Sequence, residues 1–183
     1  MNLSFAQFGG EIDQEDRQCA WEFYCELTTR VGVRGRLDGS GSDVFTGEIL
    51  VESLESLCTF FQTSRIIMKK YPVGRVAAGE ANLGFAIAQL LEFVVRPFLE
   101  KWQATYRYWW TVHQDGRRNP FALQAEFPKF EELTKDWVAV RKFCRSAAHE
   151  LAKAYHLIDL LDLAPDEARQ QQVNETAAVC RLI

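Results

Sequence analysis

Histidine and methionine are scarce in this chain, three and two residues, and its five cysteines include no CxxC pair. An odd cysteine count without such a pair argues against a disulfide framework and against a zinc ribbon. Four of the cysteines fall inside helical patterns, where a free thiol behaves as a small hydrophobe. His113, His149 and His156 stand in no ExxH pair of the kind that builds di-iron bundles. His149-Glu150 lacks a second ligand at metalloprotease spacing. No metal and no cofactor is expected. No basic stretch leads into an apolar run at the N-terminus, MNLSFAQFGG, so a signal peptide is not expected and a reduced, cytoplasmic protein is. The chain has no GK[ST] phosphate loop, no internal repeat and no convincing strand.

What is present is apolar and aromatic. Hydrophobic residues make up 48% of the 183 positions, enough for a single domain with a sizeable core. The net charge of −4 divides into an acidic 1–63, at −7, a basic 64–153, at +6, and a tail at −3. That polarity fits either an acidic helix lying on basic ones or a basic surface for an acidic partner.

The most apolar stretch lies within 79–113. From Leu83 to Leu99 its charges are Glu92 and Arg96, four apart with the acid first, the order that favours an ion pair on a helix. Seventeen residues sit at the lower limit for a bilayer core, and two charges there cost about 3 kcal/mol each. The stretch therefore reads as the central helix of a bundle, not a membrane span. Pro97 predicts a kink or a break.

Three more helices are expected: about 11–31, about 46–71, ended by Lys69, Lys70 and Pro72, and about 128–161. In the last, Phe130, Leu133, Trp137, Val140, Cys144, Ala147, Leu151, Ala154 and Ile158 alternate steps of three and four, the seam of a bundle helix. Residues 32–47 hold five glycines and read as a flexible connector with no buried element. The expected architecture is all-α: an up-down four-helix bundle spanning 1–183 as one domain. A long Gly-rich loop joins helices one and two, and 164–183 forms a short C-terminal helical appendage.

Two constellations carry functional readings. Lys135, Lys142, Arg145, His149, Lys153 and His156 fall in a narrow sector of the last helix, nearly opposite the seam. Such a stripe fits docking of a protein partner, an acidic one in particular. Without an aromatic ring in the sector, nucleic acid is the weaker match. The second is Arg107-Tyr-Trp-Trp-Thr-Val-His113. This resembles the arginine-to-histidine spacing of HEPN-type helical ribonucleases. The likeness covers seven residues and departs from the family at Tyr108, where a polar residue often follows the arginine. It implies that Arg107 and His113 act on a phosphate and a 2′-hydroxyl, usually within a dimer. ELTTRV at 26–31 and RPFLEKW at 96–102 resemble segments of bacterial helical proteins, a likeness that implies no activity.

The leading expectation is a non-enzymatic accessory or regulatory subunit with a protein partner or a second copy of itself, and no membrane. A HEPN-like ribonuclease or toxin, and a bundle with an aromatic ligand pocket, are the alternatives.

Overall fold

A computed structural model describes residues 14–71 and 83–161. Helices take up 76% of these, and the rest includes one two-stranded ribbon, so the chain is all-α in class. The expectations for 1–13 and 164–183 lie outside the described residues.

Helix α1, Gln14–Thr29, buries Cys19, Ala20, Phe23, Tyr24 and Leu27, the steps of three and four that one helical face requires. It stops two residues short of Val31 because Arg30 turns extended, with φ −79° and ψ 123°. A single helical turn, α2 (Val31–Arg34), follows, and its Val31 is exposed, although its spacing from Ile12, Cys19, Phe23 and Leu27 predicts the core face. The chain then forms strands β1 (Arg36–Leu37) and β2 (Asp43–Val44), antiparallel, with Arg36 opposite Val44 and Leu37 opposite Asp43.

Residues 32–47 are therefore not the structureless connector the glycines suggested. Gly32 and Val33 are buried, and a Cβ at Gly32 would stand 2.1 Å from the Ser53 carbonyl oxygen. Glycine there lets α2 touch the next helix backbone to backbone. At the ribbon tip, Asp38 accepts from the backbone N–H groups of Ser40 and Ser42, at 2.8 and 2.9 Å.

Helix α3, Leu50–Lys70, buries Leu50, Leu54, Leu57, Phe60 and Ile67, while Phe61 and Met68 stay half-buried. The spacing predicts Leu50, Leu54, Leu57, Phe61 and Met68 as the stripe with Phe60 and Ile67 beside it; the first three hold, and beyond them the buried face shifts by one residue to Phe60 and Ile67. Its start is fixed from outside. Gln124, on the short helix α6 (Pro120–Ala125), accepts from Leu50 N–H at 3.0 Å and donates to the Glu48 carbonyl at 2.9 Å. That satisfies one of the backbone donors every helix start leaves open.

The long helix begins at Leu83 and ends at His113 in three parts: α4 (Leu83–Leu90), a π-helical turn (Leu91–Val95) and α5 (Arg96–His113). Backbone angles stay helical through Leu90, Val95 and Arg96, so the helix does not break at Pro97. Proline has no N–H and its ring clashes with the carbonyl four residues earlier. A wider turn, in which Arg96 N–H reaches back to Leu91 O, accommodates it. No described helix is long and apolar enough to cross a membrane. Glu92 and Arg96 pair at 2.8 Å on the exposed side.

Helix α7, Phe130–Tyr155, buries the expected seam from Leu133 to Leu151, leaves its members Phe130 and Ala154 half-buried, and adds Arg141, Ala148, Ala152 and Tyr155. It ends earlier than expected, at His156 in the left-handed conformation with φ 53°. Ile158 consequently leaves the seam and is exposed. In the packing, α1 lies on α3 and α7, α3 lies on α5, and α5 closes onto α7.

The deepest polar group in this core is Arg141, fully buried. Its Nη2 donates to Glu48 Oε2 at 2.6 Å, and its guanidinium carbon sits 4.6 Å from the Phe45 ring centre and 5.5 Å from that of Trp137. Beside it Arg145 grips Asp43 with two bonds, 2.9 and 2.7 Å, and donates to the Arg34 carbonyl. Trp137 Nε1 donates to Gly32 O at 2.8 Å. All of these bonds run from α7 to the segment 31–48.

Removing one member of a buried ion pair strands the other. Arg141→Met is expected to lower unfolding free energy by about 3–5 kcal/mol. Arg141→Met with Glu48→Gln should be the more stable of the two variants in urea titration. Additive losses would contradict the pairing.

A second clamp ties α1 to the end of α3. Glu22 Oε1 accepts from Lys70 Nζ at 2.7 Å, Tyr71 OH at 2.7 Å and Gln18 Nε2 at 3.0 Å. The Lys70 bond first, then Tyr71 and Gln18, lower its pKa from 4.5 to about 2. The folded carboxyl thus binds its proton less readily than the unfolded one. Its contribution is complete above pH 4.5 and lost as pH falls towards about 2. Thermal melts of Glu22→Gln should show a shallower loss of stability across that interval than the native chain.

Candidate interaction surface

The stripe on α7 is split by the structure. Lys135, Lys142, Lys153 and His156 are exposed. Arg145 is drawn inward onto Asp43, whose side chain is fully buried. His149 Nδ1 meets Asp159 Oδ2 at 2.7 Å. Asp159 Oδ1 also accepts from Leu161 N–H and, at 3.4 Å, from Tyr24 OH. Tyr24 OH in turn accepts from Leu160 N–H at 2.6 Å. His149 thus helps fasten the chain after α7 back onto α1. Arg145 and His149 therefore carry tertiary contacts, His149 while still exposed, and the other four stripe residues face solvent.

Arg107 and His113 do not share a face. Six residues at 100° each leave them about 120° apart around the helix. Arg107 points towards Glu55 of α3, with Nη2 to Oε2 3.7 Å. His113 stacks on Trp109 with ring centres 4.8 Å apart, and its Nδ1 donates to the Trp109 carbonyl at 2.7 Å. Both stand on exposed helix surface.

Among the described residues the four thiols are held in the protonated form. Burial pushes Cys19 and Cys144 up to about 12, and burial also raises Cys25 and Cys58, so none is a thiolate near neutral pH. Among the described residues no three His, Cys, Asp or Glu side chains gather as a metal site. The aromatic residues at the far end of the bundle fill their own space: Tyr106, Trp109 and Trp102 all pack on Phe127, with ring centres 5.0–6.3 Å apart. Tyr106 OH is buried there with no hydrogen-bond partner.

The feature that periodicity missed is the outer side of the long helix. Phe98, Leu99, Trp102 and Tyr106 turn α5 towards the core. At 100° per residue the opposite side carries Pro97, Glu100, Ala104, Tyr108 and Thr111, all exposed. Phe93 and Val112 extend the row at either end. Phe93 is 57% exposed, Tyr108 74% and Val112 59%, unusual values for large side chains on one helix. Leu99, Gln103, Ala104 and Tyr108 line a shallow depression of about 530 Å³. It adjoins a groove of about 750 Å³ between α3 and the long helix, with Cys58, Phe61, Met68, Leu91 and Leu99 in its floor. The sequence signal was available: after Pro97 the helix carries apolar residues on more than one side.

Comparison with protein families, with curated proteins and with solved structures finds no match to this chain.

Two stripe residues, Lys142 and Arg145, make contrasting forecasts. Lys142→Glu should leave the melting temperature unchanged. Arg145→Glu places a second negative charge against buried Asp43 and should lower stability by about 3 kcal/mol or more. Equal melting temperatures would show that Arg145 is a surface residue after all.

Proposed function

We propose that this chain is a non-enzymatic interaction protein, an accessory or regulatory subunit that docks partners on the outer face of its long helix. The supporting observation is the row Phe93, Pro97, Ala104, Tyr108 and Val112, a line of exposed apolar or small side chains about 28 Å long at 1.5 Å per residue. Scattered exposed apolar residues are ordinary; several large ones along one side of a helix, interrupted by Glu100 between Pro97 and Ala104 and bordered by charge, support an interaction site. Glu92, Arg96, Glu100 and Arg107 form that rim along one side. The neighbour cycle α1, α3, α5, α7 supports the up-down four-helix bundle as the scaffold that holds the row straight.

The exposed stripe residues Lys135, Lys142, Lys153 and His156 supply a second, basic edge suited to an acidic region of a partner. The ribonuclease reading has less support, because Arg107 and His113 point apart and His113 Nδ1 is engaged by a carbonyl.

Photo-crosslinking in the native host separates these readings. A benzophenone side chain at position 108 should yield protein adducts, and the native chain should cleave mixed RNA no better than His113→Ala. An absence of adducts, together with RNA cleavage lost in His113→Ala, would overturn the interaction reading in favour of the ribonuclease.

A further inference from the structure

The row on α5 is self-complementary, and we infer that its occupant is a second copy of this chain, docked antiparallel about a two-fold axis at Ala104. This inference rests on the interaction reading above and names its partner.

A two-fold pairing of antiparallel helices sets residue 104 + n of one copy opposite residue 104 − n of the other. Ala104 lies at the middle of the row, exposed, with the shallow depression around it. A small side chain at a helix crossing lets two helices approach to the 8–10 Å of a close packing. Tyr108 then falls opposite Glu100 of the other copy, an exposed phenol opposite an exposed carboxylate. Pro97 falls opposite Thr111, and Phe93 lies within one turn of Val112.

The charges follow the same symmetry. Glu100 and Arg107 lie on the same side of the row, 20° apart on the helical wheel. The two-fold keeps that side common to both copies, so Glu100 of each comes beside Arg107 of the other. Within one chain Glu100 pairs with Arg96 at 2.9 Å, while Arg107 is only loosely paired. Arg96 already serves two acids, Glu92 at 2.8 Å and Glu100 at 2.9 Å. Arg107 reaches its acid, Glu55, only at 3.7 Å with both side chains largely exposed. A parallel two-fold pairing would instead carry that side to the opposite edge of the seam in the second copy, leaving Glu100 without Arg107 beside it. Opposite charges across an interface fix orientation.

Sedimentation equilibrium of the full chain tests this. The native protein should show a monomer–dimer equilibrium. Ala104→Glu should be monomeric at every concentration with an unchanged melting temperature, since position 104 is exposed. Arg107→Glu should raise the dimer Kd by about tenfold or more, and Glu100→Arg with Arg107→Glu should bring it back. A native chain that stays monomeric, an Ala104→Glu variant that dimerises as well as the native chain, or a charge swap that fails to restore the Kd would each overturn the second copy as occupant. A monomeric chain that still crosslinks a foreign protein from position 108 would retain the interaction reading and remove only this inference.

Discussion

A buried arginine decides how this chain closes. Arg141 sits in the middle of α7 with no exposure, and a guanidinium there is costly unless its charge is met; its Nη1 makes no hydrogen bond and lies 3.9 Å from Asp43 Oδ1. Glu48 meets the charge, the Gly32 and Val31 carbonyls take weaker bonds at 3.5 and 3.4 Å, and Phe45 and Trp137 cover the planar faces. Every one of these partners except Trp137 lies between residues 31 and 48. The connection between the first two long helices is thereby part of the core. Gly35 belongs to the same constraint: its φ is +65°, and a Cβ would stand 2.7 Å from the guanidinium. Gln124 and Ser53 extend the network through Glu48 to the start of α3.

Closure on that side leaves the long helix asymmetric. Its inner face packs against α3 and α7, and the indole of Trp102 donates to Asp136 at 3.0 Å across the α5–α7 contact. Lys101 adds ion pairs to Glu132 and Asp136 at 2.7 and 2.8 Å. Its outer face has no covering element among the described residues, yet it carries large apolar side chains. The π-helical turn keeps both faces continuous past Pro97, since Val95 and Phe98 stay buried while Phe93 and Pro97 stay out. A rigid helix with one apolar row in water is the physical basis for reading this chain as a docking scaffold.

Helix type and extent were legible because each helix buries one face, and burial imposes steps of three and four that composition cannot hide. The seam of α7 was read correctly from Leu133 to Leu151 for that reason. Its last member, Ile158, failed because periodicity does not register a left-handed cap at His156. The segment 32–47 failed for a different reason. Glycine marks flexible loops and close backbone contacts alike, and only the position of Arg141 separates the two. That residue lies four after Trp137 and three before Cys144, on the edge of the seam, so a charge at core spacing was the visible sign that acids elsewhere must come to meet it. Glu48 and Asp43 are those acids. Of the stripe, sequence spacing gave the sector but not the tertiary partners that draw Arg145 inward onto Asp43 and tie the exposed His149 to Asp159. The pairing of Arg107 with His113 was legible as a spacing, and helix geometry separates them.

The central claim concerns which way two copies meet on the long helix. A benzophenone at position 108 of an isotopically labelled chain, mixed with unlabelled chain and irradiated, reports the register directly. The account predicts inter-chain adducts mapping to residues 97–101 of the second copy. Adducts mapping to 105–112 of the second copy, or adducts confined within single chains, would contradict it.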